Sequence, residues 1–109
     1  MKLENKIVLV TGAGSGIGEA VAHLFAQEGA RLSLVDKSSE AVESTWKDLT
    51  DGGHEALRFC ADITHADKVI ELVNQTMKQW GRIDVLVNNA GGPCANDLLD
   101  MNDEQWDRD

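Results

Sequence analysis

The sequence predicts an α/β fold with a parallel sheet. Short apolar runs alternate along the chain with segments of helical periodicity, as in successive β-α-β units. The first run, Lys6–Thr11, is apolar without alternation, which is typical of a strand that is buried on both faces. Strands linked through helices require crossover connections, and these favour parallel pairing.

The first β-α-β unit has the clearest pattern. Its first strand is Lys6–Thr11 and its second strand is Arg31–Asp36. The helix between them is predicted to end at Gly29, because a glycine there can adopt the left-handed conformation of a C-terminal cap. Its apolar stripe consists of Ile17, Val21, Leu24 and Phe25.

The second unit follows the same plan. A helix is predicted after Ser38-Ser39 and is expected to end at Gly52-Gly53. Its apolar stripe consists of Val42, Trp46 and Leu49. The segment Ala56–Ala61 is the third strand, with a weaker apolar pattern than the first two.

The third unit begins at Thr64-His65-Ala66-Asp67, which resembles a capping box with Asp in place of Glu. The helix that follows is predicted to end at Gly81, and Ile83–Asn88 is the fourth strand. A further helix is predicted to begin at Asn102. The tryptophans at helical positions are expected to be packing residues; they are Trp46, Trp80 and Trp106.

Composition excludes several functional classes. The chain has 109 residues, with ten Lys+Arg against nineteen Asp+Glu, and its net charge of −9 argues against a nucleic-acid partner. The longest early apolar run, Ile7–Val10, is too short for a signal peptide or a membrane span, so we expect no membrane partner and a cytoplasmic location. Both cysteines are then expected to be reduced, with Cys60 in the core and Cys94 in a loop.

The segment 11–18, TGAGSGIG, joins the first strand to the first helix. Glycines here permit a tight turn, and they allow backbone N–H groups at the helix N-terminus to approach a pyrophosphate. The spacing is G-x-x-x-G-x-G, from Gly12, Gly16 and Gly18, and no lysine follows to make a P-loop. The alternative is a glycine-rich turn without a ligand.

Asp36 ends the second strand, which is where an acidic residue of a dinucleotide-binding domain accepts hydrogen bonds from the adenosine ribose. Its negative charge would repel a 2′-phosphate, so NAD is favoured over NADP. The adjacent Lys37 weakens this preference, because a cation there could accommodate the phosphate. The alternative is an Asp that only forms a turn before Lys37-Ser38-Ser39.

Four features of the sequence carry a resemblance when they are taken together: segment 11–18, Asp36, Asp62-Ile63 and Asn88–Gly91 (NNAG). With them the chain resembles the short-chain dehydrogenase/reductase family, in register over its whole length. The resemblance implies a Rossmann-like fold, here the N-terminal half of a doubly wound parallel sheet with strand order 3-2-1-4. It also implies a nicotinamide dinucleotide as partner. Asp36 would hold the ribose, and Ser15, where users of NADP often have a basic residue, supports NAD. The other implied cofactor-binding residues are Gly12, Gly16, Ile17 and Gly18 at the pyrophosphate, Asp62 and Ile63 at the adenine, and Asn89, Ala90 and Gly91 at the end of the fourth strand.

Some of these residues have simpler interpretations. Asp62 can cap the segment that follows it, and Asn88 and Asn89 can be turn residues at a strand end. The three histidines, His23, His54 and His65, show no metal-ligand spacing with the cysteines, so no metal site is predicted.

The resemblance also implies hydride transfer between nicotinamide and a small alcohol or carbonyl substrate, with Tyr, Lys, Ser and Asn as catalytic residues. The chain has no Tyr, and none of these roles can be assigned to one of its residues. We therefore expect residues 1–109 to be a partial dinucleotide-binding domain that is truncated at the start of the helix after the fourth strand and lacks catalysis.

Without the second half of the sheet, the fourth strand would be an edge strand with unpaired backbone groups. This predicts marginal stability or a homo-oligomer. Two alternatives remain for the function. One is a non-catalytic nucleotide-binding or interaction module, and the other is a different Rossmann enzyme such as a methyltransferase.

Overall fold

A computed structural model describes residues 3–14 and 16–89 of the chain. Its sheet has four parallel strands in the order β3-β2-β1-β4, which confirms the predicted topology. The strands are β1 (Ile7–Thr11), β2 (Arg31–Asp36), β3 (Ala56–Cys60) and β4 (Val85–Asn88). The helices are α1 (Gly16–Gln27), α2 (Ser39–Asp51) and α3 (Ala66–Trp80).

Strand β1 lies inside the sheet, between β2 and β4. Its last residue, Thr11, is paired with Val35 of β2 and with Asn88 of β4. All five of its residues are buried, which is the physical reason for the unbroken apolar run in the sequence.

Each face of the sheet has its own apolar core. Helices α1 and α2 pack on one face, where Trp46 is a partly buried neighbour of the core. Helix α3 packs on the other face, where Trp80 has the same role, so both tryptophans are packing residues as predicted. The buried residues of the first face are Val8, Val10, Ala13, Ala22, Ala26, Ala30, Leu32, Leu34, Val42 and Leu49. Those of the second face are Ile7, Leu9, Val35, Val69, Leu72, Val73 and Ile83.

The predicted ends of the helices are confirmed at the glycines and wrong at one capping box. Gly81 adopts a left-handed φ of 84° after α3, and its N–H donates to the Met77 carbonyl. The N-cap of α3 is His65, without a side-chain cap hydrogen bond, whereas the sequence pattern predicted Thr64. The reason is that the Thr64 hydroxyl donates to Asp62 Oδ1 at 2.7 Å.

The prediction that Cys60 is a core residue is also wrong. Its side chain is exposed, because β3 is the outer strand of the described sheet next to β2 and successive residues of a strand point to opposite sides. Phe59, one residue earlier, packs against the core on the α3 face.

Within the described residues, no helix is long and apolar enough to cross a membrane. The predicted helix from Asn102, together with Cys94 and Trp106, lies outside the described part of the chain.

Candidate functional site

The predicted site residues that the structure describes lie at one edge of the sheet, where the four parallel strands end. Asp36 is the last residue of β2, and the Ala61 N–H, just past β3, donates to its carbonyl at 3.0 Å. Chain order reverses at β1, because β2 follows on one side of it and β4 lies on the other. In doubly wound sheets, ligands bind in the crevice at such a switch point.

Glycine is required at two kinds of position in the turn between β1 and α1. Gly12 and Gly16 have φ values of 64° and 59°, a region that L-residues enter only with strain. Gly18 lies so close to the preceding turn that a Cβ there would be 1.9 Å from the Gly12 carbonyl oxygen. The turn therefore folds back on itself, and the N-terminus of α1 opens at its surface, where Ile17 is 72% exposed.

The Asp36 carboxylate holds this turn to the end of β2. Its Oδ2 accepts a hydrogen bond of 2.9 Å from the Gly14 N–H, and its Oδ1 accepts one of 2.9 Å from the Ser38 N–H. A Cβ on Gly14 would lie 2.8 Å from Asp36 Oδ2 and 2.5 Å from the Ala41 Cβ. The bond to Ser38 agrees with the interpretation of Asp36 as a turn-forming residue. The bond to Gly14 shows that the same carboxylate also fixes the glycine-rich turn.

Thr11 joins the turn to the end of β4. Its hydroxyl donates to Asn88 Oδ1 at 2.9 Å and accepts a hydrogen bond of 3.0 Å from the Asn89 N–H. Thr11 is 1% exposed, and Asn88 and Asn89 are half-buried, so these polar groups meet at the boundary of the core. Asn88 and Asn89 therefore connect two strands, beyond the local turn that the simpler interpretation assigned to them.

Asp62 forms a turn of its own. Its Oδ1 accepts hydrogen bonds from the Thr64 N–H at 2.9 Å and the Thr64 hydroxyl at 2.7 Å. The backbone hydrogen bond from Thr64, followed by that from its side chain, lowers the pKa of Asp62 below its ordinary value of 3.8, and the charges of His65 and Lys37 act in the same direction.

Replacing Thr64 by alanine is expected to raise the pKa of Asp62 only part of the way to 3.8, because the larger cause, the backbone N–H, remains. A lowered folded pKa stabilises the protein above the unfolded pKa, and this contribution is lost as the pH falls through the folded value. NMR titration of the Asp62 carboxyl carbon measures the shift. An unchanged pKa in Thr64→Ala would contradict the assigned cause.

The remaining predicted residues divide into two groups. Ile63 packs beside the core on the α3 face as a partly buried side chain. Ser15, Ala90 and Gly91 lie outside the described residues. Among the described residues, no group of three His, Cys, Asp or Glu side chains could hold a metal ion.

One residue of this region was missed by the sequence analysis. Thr45 is completely buried in α2, and its hydroxyl donates to the Ala13 carbonyl of the glycine-rich turn at 3.0 Å. Its position in the helix could have indicated a buried polar contact. Thr45 lies three residues after Val42 and four before Leu49, so a polar residue interrupts the apolar stripe.

The fold and the site define a Rossmann-type dinucleotide-binding architecture: a 3-2-1-4 parallel sheet, a glycine-rich turn after β1 and an acidic residue at the end of β2. The profile of the short chain dehydrogenase family matches residues 6–109. The chain belongs to this family of oxidoreductases, which decides against the methyltransferase alternative.

Relatives and solved structures agree with this assignment. The chain is 42% identical to 3-oxoacyl-(acyl-carrier-protein) reductase of Thermotoga maritima, covering 98% of this chain and 44% of the relative. It is 39% identical to meso-2,3-butanediol dehydrogenase of Serratia marcescens, covering 99% of this chain and 42% of the relative. The crystal structure of NAD⁺-bound xylitol dehydrogenase matches with a TM-score of 0.80 and 39% identity, over 84% of this chain and 35% of that one. The chain thus spans less than half the length of these proteins.

Proposed function

We propose that this chain is the cofactor-binding portion of an NAD(H)-dependent oxidoreductase that acts on alcohol or carbonyl groups. The observation that carries the proposal is the Asp36 carboxylate, which the Gly14 and Ser38 N–H groups hold at the end of β2 beside the glycine-rich turn. A carboxylate oxygen has more than one acceptor position, so Asp36 retains capacity for the ribose hydroxyls.

The turn has the chemistry that a pyrophosphate requires. Helix α1 begins directly after it, and the first N–H groups of a helix have no intrahelical acceptor. The backbone of segment 15–17, with Gly12, Gly16 and Gly18, would hold the diphosphate at this positive end of the helix dipole. Glycine has no Cβ, so the phosphates can approach the backbone closely at these positions.

The adenosine half of the cofactor would lie across the ends of β2 and β3. Asp36 would accept from the ribose, and Asp62 and Ile63 would border the adenine. A carboxylate at the ribose disfavours the 2′-phosphate of NADP, so we propose NAD as the cofactor. Ser15 in place of a basic residue supports the same choice. Two solved relatives are described as bound to NAD, one from Burkholderia phymatum with 29% identity and a TM-score of 0.76, and one from Mycobacterium paratuberculosis with 27% and 0.80.

Near the end of β4, Asn89, Ala90 and Gly91 would approach the cofactor. When bound, NAD supplies hydride transfer to or from the substrate carbon. The 109 residues contain no tyrosine, so we infer that they bind and orient the cofactor and do not supply the tyrosine of the family. Homo-oligomerisation and a cytoplasmic location remain predictions.

Replacing Asp36 by alanine tests the proposal. We expect the affinity for NAD to fall about tenfold, because hydrogen bonds to a charged group contribute about 1.5–3 kcal/mol each and water replaces part of this. The affinity for NADP should fall less or rise, since the repulsion of the 2′-phosphate is removed. Isothermal titration with NAD, NADP and AMP measures all three affinities.

Asp51→Ala is the matched control, because it removes the same charge from an exposed position at the far end of α2. It should leave the affinities for NAD and NADP unchanged. If Asp36→Ala binds NAD as tightly as the unaltered protein does, and NADP likewise, the proposed role of Asp36 is refuted. A module that binds no adenine nucleotide at all would refute the proposed function itself.

A further inference from the structure

We propose that Thr45 is a positioning residue for the Asp36 carboxylate and, through it, for ribose recognition. The inference rests on the proposed function of Asp36. The two side chains act on opposite ends of one peptide group, the one between Ala13 and Gly14. The Thr45 hydroxyl donates to its carbonyl oxygen at 3.0 Å, and Asp36 Oδ2 accepts from its N–H at 2.9 Å.

The direction of the Thr45 hydroxyl is unusual for a threonine inside a helix. Such a hydroxyl commonly donates to the carbonyl of the residue four positions earlier. Thr50 and Thr76 do so, with distances of 3.0 Å to the Trp46 oxygen and 2.9 Å to the Leu72 oxygen. For Thr45 the corresponding distance to the Ala41 oxygen is 3.4 Å, longer than the 3.0 Å to Ala13.

Another acceptor near Thr45 does not change this assignment. Glu19 Oε2 of α1 lies 3.4 Å from the hydroxyl, the same distance as the Ala41 oxygen. A hydroxyl has a single proton to donate, and the shortest of the three contacts is the one to the glycine-rich turn. Thr45 is completely buried, so water does not compete for that proton.

The Ala13–Gly14 peptide is rigid, which couples its two ends. A planar peptide cannot keep its N–H on Asp36 if its carbonyl rotates away from Thr45. The Ala13 N–H, on the preceding peptide, donates to the Val35 carbonyl at 3.0 Å. This bond fixes the preceding peptide, so a rotation of the Ala13–Gly14 peptide would take place at Ala13. Without the Thr45 hydroxyl, we expect the Gly14 N–H to be aimed less well and the Asp36 carboxylate to be held less firmly.

Helix α2 thereby links two parts of the site. Its N-cap, Ser38, donates its N–H to Asp36 Oδ1, and Thr45, further along the same helix, fixes the peptide that binds Oδ2. Both carboxylate oxygens are therefore oriented by groups whose positions depend on α2. Because a preorganised acceptor loses less freedom on binding, the affinity for the ribose should depend on Thr45 although this side chain is buried beneath the turn.

The test uses Thr45→Val, which keeps the shape of the side chain and removes its hydroxyl, with AMP as the titrated ligand. We expect AMP to bind about three- to tenfold more weakly, the equivalent of one hydrogen bond. Thr45→Ser retains a hydroxyl and should restore the affinity to within about twofold of the original. An AMP affinity in Thr45→Val equal to that of the unaltered protein would overturn the proposal, and so would a failure of serine to restore it.

Thr76→Val is the matched control. Thr76 is also a completely buried helical threonine, but it contacts Ser33 on the opposite face of the sheet, at 2.8 Å. Its replacement should lower the thermal unfolding midpoint as Thr45→Val does and leave AMP binding unchanged. Weaker AMP binding in both variants to the same extent would mean that lost stability is the cause and would overturn the proposal.

A double-mutant cycle separates this inference from the proposed function. If Thr45 acts through Asp36, Thr45→Val should cause no further loss of AMP affinity in the Asp36→Ala background. The same loss in both backgrounds would overturn the inference and leave the role of Asp36 intact. An Asp36→Ala variant that binds AMP normally would instead refute the proposed role of Asp36 together with the inference, and an unaltered protein that binds no AMP would refute the proposed function.

Discussion

Replacing Gly18 by alanine is expected to lower the free energy of unfolding by about 3 kcal/mol or more, the upper part of the range for overpacked sites. The added Cβ would lie 1.9 Å from the Gly12 carbonyl oxygen, 2.7 Å from its carbon and 2.9 Å from the Asn89 Nδ2. Two of these atoms are backbone, so no side-chain rotation relieves the contact, and the turn must move away from α1. Chemical denaturation measures the loss of stability.

The same substitution should also abolish dinucleotide binding under conditions in which the protein is still folded. The displaced turn carries the Gly14 N–H that holds Asp36, so both the proposed pyrophosphate site and the proposed ribose site change. Titration with NAD at low denaturant and low temperature tests this part. Undiminished binding in a folded Gly18→Ala protein would contradict the close approach seen at this glycine.

Gly53→Ala serves as the control for Gly18→Ala. Gly53 has a φ of 87° after α2, with open space around its Cβ position. Alanine there introduces only the left-handed strain of about 1–2 kcal/mol. It should therefore cost less stability than Gly18→Ala and leave NAD binding intact. A larger loss at Gly53 than at Gly18 would mean that backbone strain, and not the contact with Gly12, decides the effect.

Much of this fold could be predicted because its signals are local. The apolar run of β1 required burial on both faces, and the alternation of strands and helices required parallel crossovers. The sequence predicted that each helix ends at a glycine, and a glycine with positive φ follows each of them: Gly29, Gly53 and Gly81. Each of these inferences depends on neighbouring residues only, and each was confirmed.

The Thr64 cap fails because of a local hydrogen bond to Asp62, whereas the other errors and omissions come from contacts between residues that are distant in sequence. Cys60 looked like a core residue, but the position of β3 beside β2 alone, within the described sheet, decides its exposure. Asp36 could be predicted at the end of a strand, yet its hydrogen bond to Gly14 joins residues 22 positions apart. Thr45 and Ala13 are 32 positions apart, and no local pattern shows which acceptor a buried hydroxyl will find.

The candidate site is therefore held together by contacts between strand ends, and most of these contacts involve residues that the sequence motif does not include. Asp36 connects the glycine-rich turn to β2, Thr45 connects it to α2, and Thr11 connects it to the end of β4. Ile17 is exposed and Asp36 is half-buried, whereas Thr11 and Thr45, which also hold the turn, are buried. A motif that lists the ligand-facing positions alone omits the polar contacts that keep those positions in place.

Thr11→Val is expected to destabilise the protein by about 1–3 kcal/mol, the cost of removing a hydrogen-bonding group from a buried position next to polar partners. The hydrogen bonds from the Asn89 N–H to the Thr11 hydroxyl and from this hydroxyl to Asn88 Oδ1 would be lost, at a site where the threonine is 1% exposed. Valine has nearly the same shape as threonine, so packing against the core is retained. The midpoint of urea unfolding, at an unchanged slope, measures the change.

Thr11→Ser keeps the hydroxyl and should recover most of the stability, since only a methyl group of about 1 kcal/mol is removed. The two variants also separate stability from binding at the end of β4. If the Thr11 hydroxyl fixes Asn89 beside the glycine-rich turn, NAD should bind more weakly to Thr11→Val and normally to Thr11→Ser. A valine variant as stable as the unaltered protein would show that the Thr11 hydroxyl, and with it the Asn88 and Asn89 contacts, contributes nothing to stability.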